Sequence, residues 1–382
     1  MKKQIQILLD KAIQKRSLLI KPPYDTAFRL LNGFSEGIPS LVIEIFGRTV
    51  VFHDYGSDDK KNEDASETLV ETEEKTEAVV DEVASDSLDD VEVTPTLDLE
   101  KDPEAKPESD LILEMALSLV REQLPWVLSG VLKKRRSQVA EERSGVRLFG
   151  TELCSRIEEN GVLYSINLLM NRDSSFYLDT KLLRKWAKDN LADKSVLNTF
   201  AYTGSLGVAC LAGGSKKVLQ LDMHRKFLNV AMRSAKLNGK EVKESDYQTC
   251  DFWSRINQYK KSKKMFDCVI LDPPVYSKTR KGTIDLANNY EKLINKVRPI
   301  INDGGYLITI SNALFQRGDD HKAVLDALCG DGYLKVEKLI DVPDDCLGNP
   351  NTIKQFLPAD PSPYNHSTKI TVLSVKRKST NL

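Results

Sequence analysis

The stretch ILDPPVYSKTRKG, residues 270–282, ends an apolar run in a carboxylate and two prolines, then turns aromatic and basic. Proline fixes φ, so Pro273 and Pro274 stiffen the backbone as it leaves a strand and hold carbonyls and the Asp272 carboxylate in one place. A carboxylate so held can accept a hydrogen bond from an amino group or ring N–H of a planar nitrogenous ring. Tyr276 can stack on that ring, and Lys278, Arg280 and Lys281 can meet nearby phosphates. The plainer alternative is a proline-stiffened turn followed by a solvated basic loop.

A second constellation precedes it. LNTFAYTGSLG (197–207) places a strand, a tight turn of small residues and a helix in sequence, and Gly204 lets the backbone pass close to a ligand. The turn lacks the GxGxxG glycines that cradle a pyrophosphate. Asp222 closes the next strand in VLQLDMHRKF, about 20 residues after the turn, where a carboxylate suits a ribose diol. Asp251, in YQTCDFW near the end of a presumed third strand, can bind an adenine amino group. Singly, Asp222 could be a helix cap and Gly204 a plain turn; their order and spacing carry the signal. The six cysteines and four histidines are scattered with no CxxC pair, which argues against a metal site and fits a reducing cytoplasm.

These residues need a scaffold. From Lys181 onward KLLRKWAKDNL, GSLGVACLAGG, RKFLNVAMRSAKLNG and LANNYEKLINKVRPII read as helices. SVLNTF, KKVLQLD, FDCVILD, GYLITIS, YLKVEKLID and KITVLSVK read as strands. The alternation predicts a mostly parallel, doubly wound α/β domain over 170–382, whose closing pair admits an antiparallel strand. Before it, MKKQIQILLDKAIQKR reads as an amphipathic helix, and FRLLNGFSEGIPSLVIEIFGRTVVFHDY as strands broken by glycine turns. LILEMALSLVREQLPWVLSGVLKKR reads as a helix leading into a strand, and RIEENGVLYSINLL as a hairpin turning at Asn160-Gly161. These predict a small β-rich α+β domain over 1–57 and 111–169.

Residues 58–110 interrupt that domain with 21 Asp/Glu against 5 Lys, a net −16, and read as an acidic disordered insertion. The remaining chain holds 50 Lys/Arg against 35 Asp/Glu, a net +15, and so can hold a polyanion such as RNA. The run Lys133, Lys134, Arg135 and Arg136 is a candidate contact. No apolar run is long enough to span a bilayer.

Taken in order, FRLLNGFSEGIPSLVIEIFG, SSFYLDTKLLR, LNTFAYTGSLGVACLAGG, VLQLDMHRKFLNVAMRSAKLNG, ILDPPVYSKTRKG and GGYLITISN resemble class I S-adenosylmethionine-dependent methyltransferases. Within these the chain is similar to the large-subunit ribosomal RNA base methyltransferases, which include cytosine-C5 and guanine-N7 enzymes. The resemblance covers nearly all of the chain outside the acidic segment. It implies a Rossmann-like catalytic domain preceded by a β-rich one, S-adenosylmethionine as cofactor and ribosomal RNA as partner. Many members add an RNA-binding PUA domain at the amino terminus, for which no segment here has room.

The resemblance also places residues. Phe176 to Asp179 would lie on the extended piece entering the cofactor site. Tyr202, Thr203 and Gly204 would form the loop around the methionine end, with Phe200 and Met223 also at the cofactor. Asp222 would hold ribose, Asp251 the adenine region, and Asp272 would serve cofactor and acceptor alike. The family usually has Asp-Gln-Arg or Asp-His-Arg where this chain has Asp179-Thr180-Lys181, so a point charge replaces arginine's planar fork.

Methylating C5 of cytosine needs a cysteine thiolate to add at C6. The C5-methylating relatives carry that cysteine in a Ser-Cys pair after the fifth strand; here the pair is Ser311-Asn312, and Val275 follows Pro274 at the other cysteine position. Cys346 lies in another loop. N7 of guanine has its own lone pair and needs only orientation. Asn312 could donate to the base edge, and the guanine-N7 domain also carries Ser-Asn here and a serine matched by Ser277. The expectation is therefore methylation of an RNA base at a guanine ring nitrogen, with Asp272, Pro273, Pro274, Tyr276 and Asn312 as the catalytic set. A 5-methylcytosine enzyme, an RNA-binding assembly factor without chemistry, and a methyltransferase for a small molecule or protein are the alternatives.

Overall fold

The computed structural model describes residues 2–56, 108–347 and 359–377. Two large sheets and two two-stranded hairpins organise these residues. The first has five strands in the order β1 (Ala27–Asn32), β2 (Leu41–Phe46), β3 (Thr49–Asp54), β4 (Ser129–Lys134) and β5 (Val146–Phe149). Neighbours run antiparallel except β3 and β4, which are parallel. A parallel pair needs a crossover rather than a tight turn, and here it returns through helix α2 (Glu108–Gln123). Helix α1 (Lys2–Lys15) lies beside α2. Ile5, Leu9 and Ala12 with Ala116, Leu119 and Val120 form stripes at three- and four-residue spacing, packed on Leu30, Ile43, Ile45 and Phe52.

The expected acidic insertion falls at 58–107 outside the described residues, and its last three residues are a correction. Glu108, Ser109 and Asp110 open α2, where the Asp110 carboxylate interacts favourably with the positive end of the helix dipole. The hairpin expected at Asn160-Gly161 is present as β6 (Arg156–Glu159) and β7 (Val162–Ser165), with φ of 54° and 73° at the two turn residues.

The second sheet has seven strands in the order β10, β9, β8, β11, β14, β16, β15. These are β8 (Ser195–Thr199), β9 (Lys217–Asp222), β10 (Tyr247–Thr249), β11 (Phe266–Leu271), β14 (Ile301–Ser311), β15 (Leu334–Ile340) and β16 (Lys369–Val375). The first five in spatial order are parallel, and β16 runs antiparallel between β14 and β15, as the closing pair allowed. Side chains of period two sort onto the two faces. Val196, Cys268, Ile270 and Ile308 pack under helices α3 (Lys181–Asn190) and α4 (Ser205–Ala212), with α5 (Arg225–Leu237) beside them. Leu197, Val269, Leu271 and Leu307 face α6 (Phe252–Lys261), α7 (Leu286–Val297) and α8 (Gly318–Cys329) on the other side. This is the doubly wound, Rossmann-like arrangement that the alternation predicted.

The basic stretch after Pro274 is not a loop. It forms a two-stranded hairpin, β12 (Tyr276–Thr279) with β13 (Gly282–Asp285), turning at Arg280-Lys281. The two sheets are also fastened to each other. The buried Arg16 guanidinium forks onto Glu36 at 2.6 and 2.9 Å and donates to the Asp345 carbonyl at 2.8 Å. Asp345 accepts from the Arg29 N–H at 2.8 Å, and Asn32 donates to the Cys346 carbonyl at 2.7 Å.

Candidate functional site

Strands β8, β9, β10, β11 and β14 point their carboxyl ends at one cleft of about 310 Å³, the position where open α/β sheets bind ligands. After β8 the chain turns through Phe200, Tyr202 and Gly204 with φ of 53°, 51° and 73°. A non-glycine residue in that region costs about 1–3 kcal/mol and persists only where neighbours fix it. Four bonds do so. Ala201 N–H donates to the Leu221 carbonyl at 2.7 Å, Tyr202 N–H to Asp222 Oδ2 at 2.8 Å, the Thr203 hydroxyl to the Ser175 carbonyl at 2.7 Å, and the Tyr202 hydroxyl to Asn171 Oδ1 at 3.0 Å.

The other Asp222 oxygen accepts from His224 N–H at 2.8 Å. A carboxylate has about four acceptor sites, and one at the end of a second strand suits the hydroxyls of a diol. Asp251 caps α6 by accepting from Ser254 N–H at 2.8 Å, and its other oxygen accepts from the Thr279 hydroxyl of β12 at 3.2 Å. Asp272, Pro273 and Pro274 leave β11 on the cleft wall, and Asn312 stands exposed in the cleft after β14. Burial, then the negative charge of Asp179, pushes the Asp272 carboxyl up to about 7. Asp179 accepts from the Thr368 hydroxyl at 2.8 Å.

Among the described residues, five carboxylates line the cleft (Asp173, Asp179, Asp222, Asp251 and Asp272) and no Lys or Arg does. A pyrophosphate would be repelled by that donor set, whereas a sulfonium or ammonium would be attracted. Phe200 and Phe252, with ring centroids 4.7 Å apart, add an apolar wall beside Asp251. The residues present therefore fit S-adenosylmethionine, a cation carrying a ribose diol, an adenine and an α-ammonium group.

Of the expected site residues, Asp179, Phe200, Tyr202, Asp222, Met223, Asp251, Asp272, Pro273, Pro274 and Asn312 line the cleft. Others stand elsewhere. Phe176 is buried in the seam between the sheets, its ring 5.0 Å from Tyr164 and 4.1 Å from the Arg184 guanidinium. Thr203 is buried and fixes the turn from behind. At Gly204 packing leaves no room for a side chain: a Cβ there would lie 2.4 Å from Ala231 Cβ and from Gln220 Oε1. Tyr276, Lys278, Arg280 and Lys281 are exposed on the hairpin and do not line the cleft.

The basic run at the end of β4 divides. Lys133 is wholly buried, which removes it from any RNA contact, and its ammonium is held by the carbonyls of Ser144 and Asn171. Lys134 pairs with Glu142 at 3.2 Å, and Arg135 faces Asp173 at 3.4 Å. Arg136 is exposed. The forked contact that Lys181 cannot make occurs one turn later, where Arg184 grips Glu159 at 2.7 and 2.8 Å.

Asn171, Asp173, Asn198 and Thr368 line the cleft without having been expected there. Asn198 left a signal, a polar residue inside an apolar strand. Thr368 left none, because it arrives through the pairing of β16 with β14. Among the described residues, no group of three His, Cys, Asp or Glu is arranged to hold a metal ion, and no helix is long and apolar enough to cross a membrane.

Comparison with known proteins bears on this site. A family profile described as S-adenosylmethionine-dependent methyltransferase matches residues 113–341. The chain is 33% identical over 196 residues to ribosomal RNA large subunit methyltransferase I of Aliivibrio fischeri (strain MJ11), covering 50% of this chain and 49% of that protein. To the protein of the same name from Aeromonas hydrophila subsp. hydrophila it is 29% identical over 222 residues, covering 57% and 55%. The chain spans about half the length of the curated relatives it matches. Among solved structures, SMU.776 complexed with SAH aligns at a TM-score of 0.73 and 18% identity, over 98% of this chain and 82% of that one. A SAM-dependent methyltransferase from Agrobacterium tumefaciens aligns at 0.52 and 14%, over 89% and 88%. At those identities the likeness is one of fold. With more than half of its length matched by the family profile, the chain belongs to the S-adenosylmethionine-dependent methyltransferases.

Proposed function

We propose that this chain methylates RNA at a guanine ring nitrogen, with large-subunit ribosomal RNA as its substrate. One observation carries the choice of atom: the acceptor side of the acidic cleft presents Asn312 and Asp272 with no activated thiol beside them. Cys346 is fully buried outside the cleft, and burial pushes its thiol well up. Cys250 lines the cleft, but beside Asp251, and burial raises its thiol too. A raised thiol holds little thiolate, the form that must add to a pyrimidine. The names of the curated relatives support ribosomal RNA as the substrate class.

S-adenosylmethionine, when bound, supplies an electrophilic methyl group on a cationic sulfur. Asp222 and Asp251 would hold its ribose and adenine, and Asp179 with Asp272 would balance its positive charge. Asn312 would donate to an acceptor on the guanine edge and turn N7 toward the methyl, so that catalysis rests on orientation and needs no general base. The exposed hairpin β12–β13, with Tyr276, Lys278, Arg280 and Lys281, would meet RNA at the rim. The first sheet, with Lys134 and Arg136 at the end of β4, would extend that contact.

The test supplies the purified chain with methyl-labelled S-adenosylmethionine and unmodified large-subunit ribosomal RNA. Label that enters RNA and is released by ribonuclease is the expected result. Label entering protein or a small molecule instead would overturn the RNA reading.

A further inference from the structure

Strand β4 of the first sheet reaches the cleft of the second. Lys133 is 0% exposed, and its Nζ donates to the Asn171 carbonyl at 2.8 Å. Two residues on, Arg135 Nη1 donates to the Arg172 carbonyl at 2.6 Å, and Arg172 Nη2 returns a bond to the Arg135 carbonyl at 3.1 Å. Lys133 at the end of β4 and Arg135 in the turn that follows thus both donate to one segment, 171–173. A buried ammonium is costly unless it is bonded, and the Ser144 and Asn171 carbonyls supply those bonds.

The gripped segment leads inward. Asn171 Oδ1 accepts from the Tyr202 hydroxyl at 3.0 Å, and Tyr202 N–H donates to Asp222 Oδ2 at 2.8 Å. Asp173 accepts from the Tyr177 hydroxyl at 2.8 Å. Lys133, Asn171, Tyr202 and Asp222 are thus linked residue to residue in one chain, through different groups of Asn171 (carbonyl, then Oδ1) and of Tyr202 (hydroxyl, then N–H). Tyr202 sits at a φ of 51°, a conformation that holds only where its surroundings fix it.

We infer that Lys133 and Arg135 are positioning residues of the cofactor site: through the Asn171–Asp173 segment and the Tyr202 phenol, the first sheet sets the carboxylate of Asp222. The inference rests on reading the cleft as the S-adenosylmethionine site and is independent of which RNA atom is methylated. It gives the first sheet a part in cofactor binding besides any contact with RNA.

A double-mutant cycle on the purified full chain tests it, with S-adenosylmethionine affinity read by calorimetry for wild type, Lys133→Met, Tyr202→Phe and the double variant. Each single change is expected to weaken binding about tenfold, or about 1.4 kcal/mol. Because both cut the same chain, the double should lose no more than the larger single loss. Arg135→Lys should retain more affinity than Arg135→Ala, since a lysine can still face Asp173. Losses that add, or a folded Lys133→Met with wild-type affinity, would overturn the inference. If Lys133→Met does not fold, Arg135→Ala replaces it in the cycle, with the same two outcomes. Label transfer to RNA is measured alongside. A wild type that binds the cofactor yet methylates no RNA strikes the proposed function and leaves the cycle standing, whereas an additive cycle in an active enzyme strikes this inference alone.

Discussion

Asp272 holds a proton that the same residue releases near pH 4 in an unfolded chain, because burial and Asp179 push it up to about 7. A carboxyl raised in the folded state adds stability that is fully present below about pH 4 and is lost as pH rises through about 7. A cationic ligand reverses the preference and favours the ionised form. S-adenosylmethionine affinity is therefore expected to rise between about pH 5 and pH 7 and then level off. The demethylated product, which lacks the sulfonium charge, should respond less. Calorimetry across that range checks this, and Asp272→Asn should flatten the profile. At Gly204 the side chain itself is the issue. Alanine would clash with Ala231 and Gln220 at a positive φ, and a loss of about 2 kcal/mol or more is expected by denaturant unfolding. The aspartates that close strands were legible in the sequence because position and residue type coincide there. The packing constraint at Gly204 was not, because it comes from Ala231, on a helix 27 residues away.

The hairpin β12–β13 turns one face to the cleft, which Ser277, Thr279 and Ile284 line, and its Thr279 hydroxyl donates to Asp251. Replacing Lys278, Arg280 and Lys281 together by alanine should weaken RNA binding and lower the slope of log affinity against log salt by about 2. S-adenosylmethionine affinity should stay unchanged; filter binding and calorimetry separate the two effects. An unchanged salt slope would remove the hairpin from the RNA contact. Period-two apolar runs and their alternation with helices made the second sheet legible. The hairpin was hidden because SKTRKG has the composition of a solvated loop, and its pairing depends on Ile284 being buried beneath it. Helix α6 was hidden for another reason. Asp251 both caps it and lines the cleft, so a ligand reading of that residue masked the helix start.

Across the molecule, the buried Arg16–Glu36 fork joins α1 to the chain before β2 and also holds the Asp345 carbonyl of the second half. Glu36→Gln would leave a buried guanidinium uncompensated, at an expected cost of about 3–5 kcal/mol. Because that contact is shared, differential scanning calorimetry should show both sheets melting in a single, lowered transition. Two transitions would mean that the sheets unfold independently. The order of elements was readable from sequence, but the docking of Asp345 and Cys346 on β1 was not, since backbone carbonyls of distant residues leave no mark in residue type. The most direct measurement of the central claim is nucleoside mass spectrometry of unmodified large-subunit ribosomal RNA after incubation with the chain and S-adenosylmethionine. The account predicts 7-methylguanosine, lost on Asn312→Ala; 5-methylcytidine as the product would contradict it.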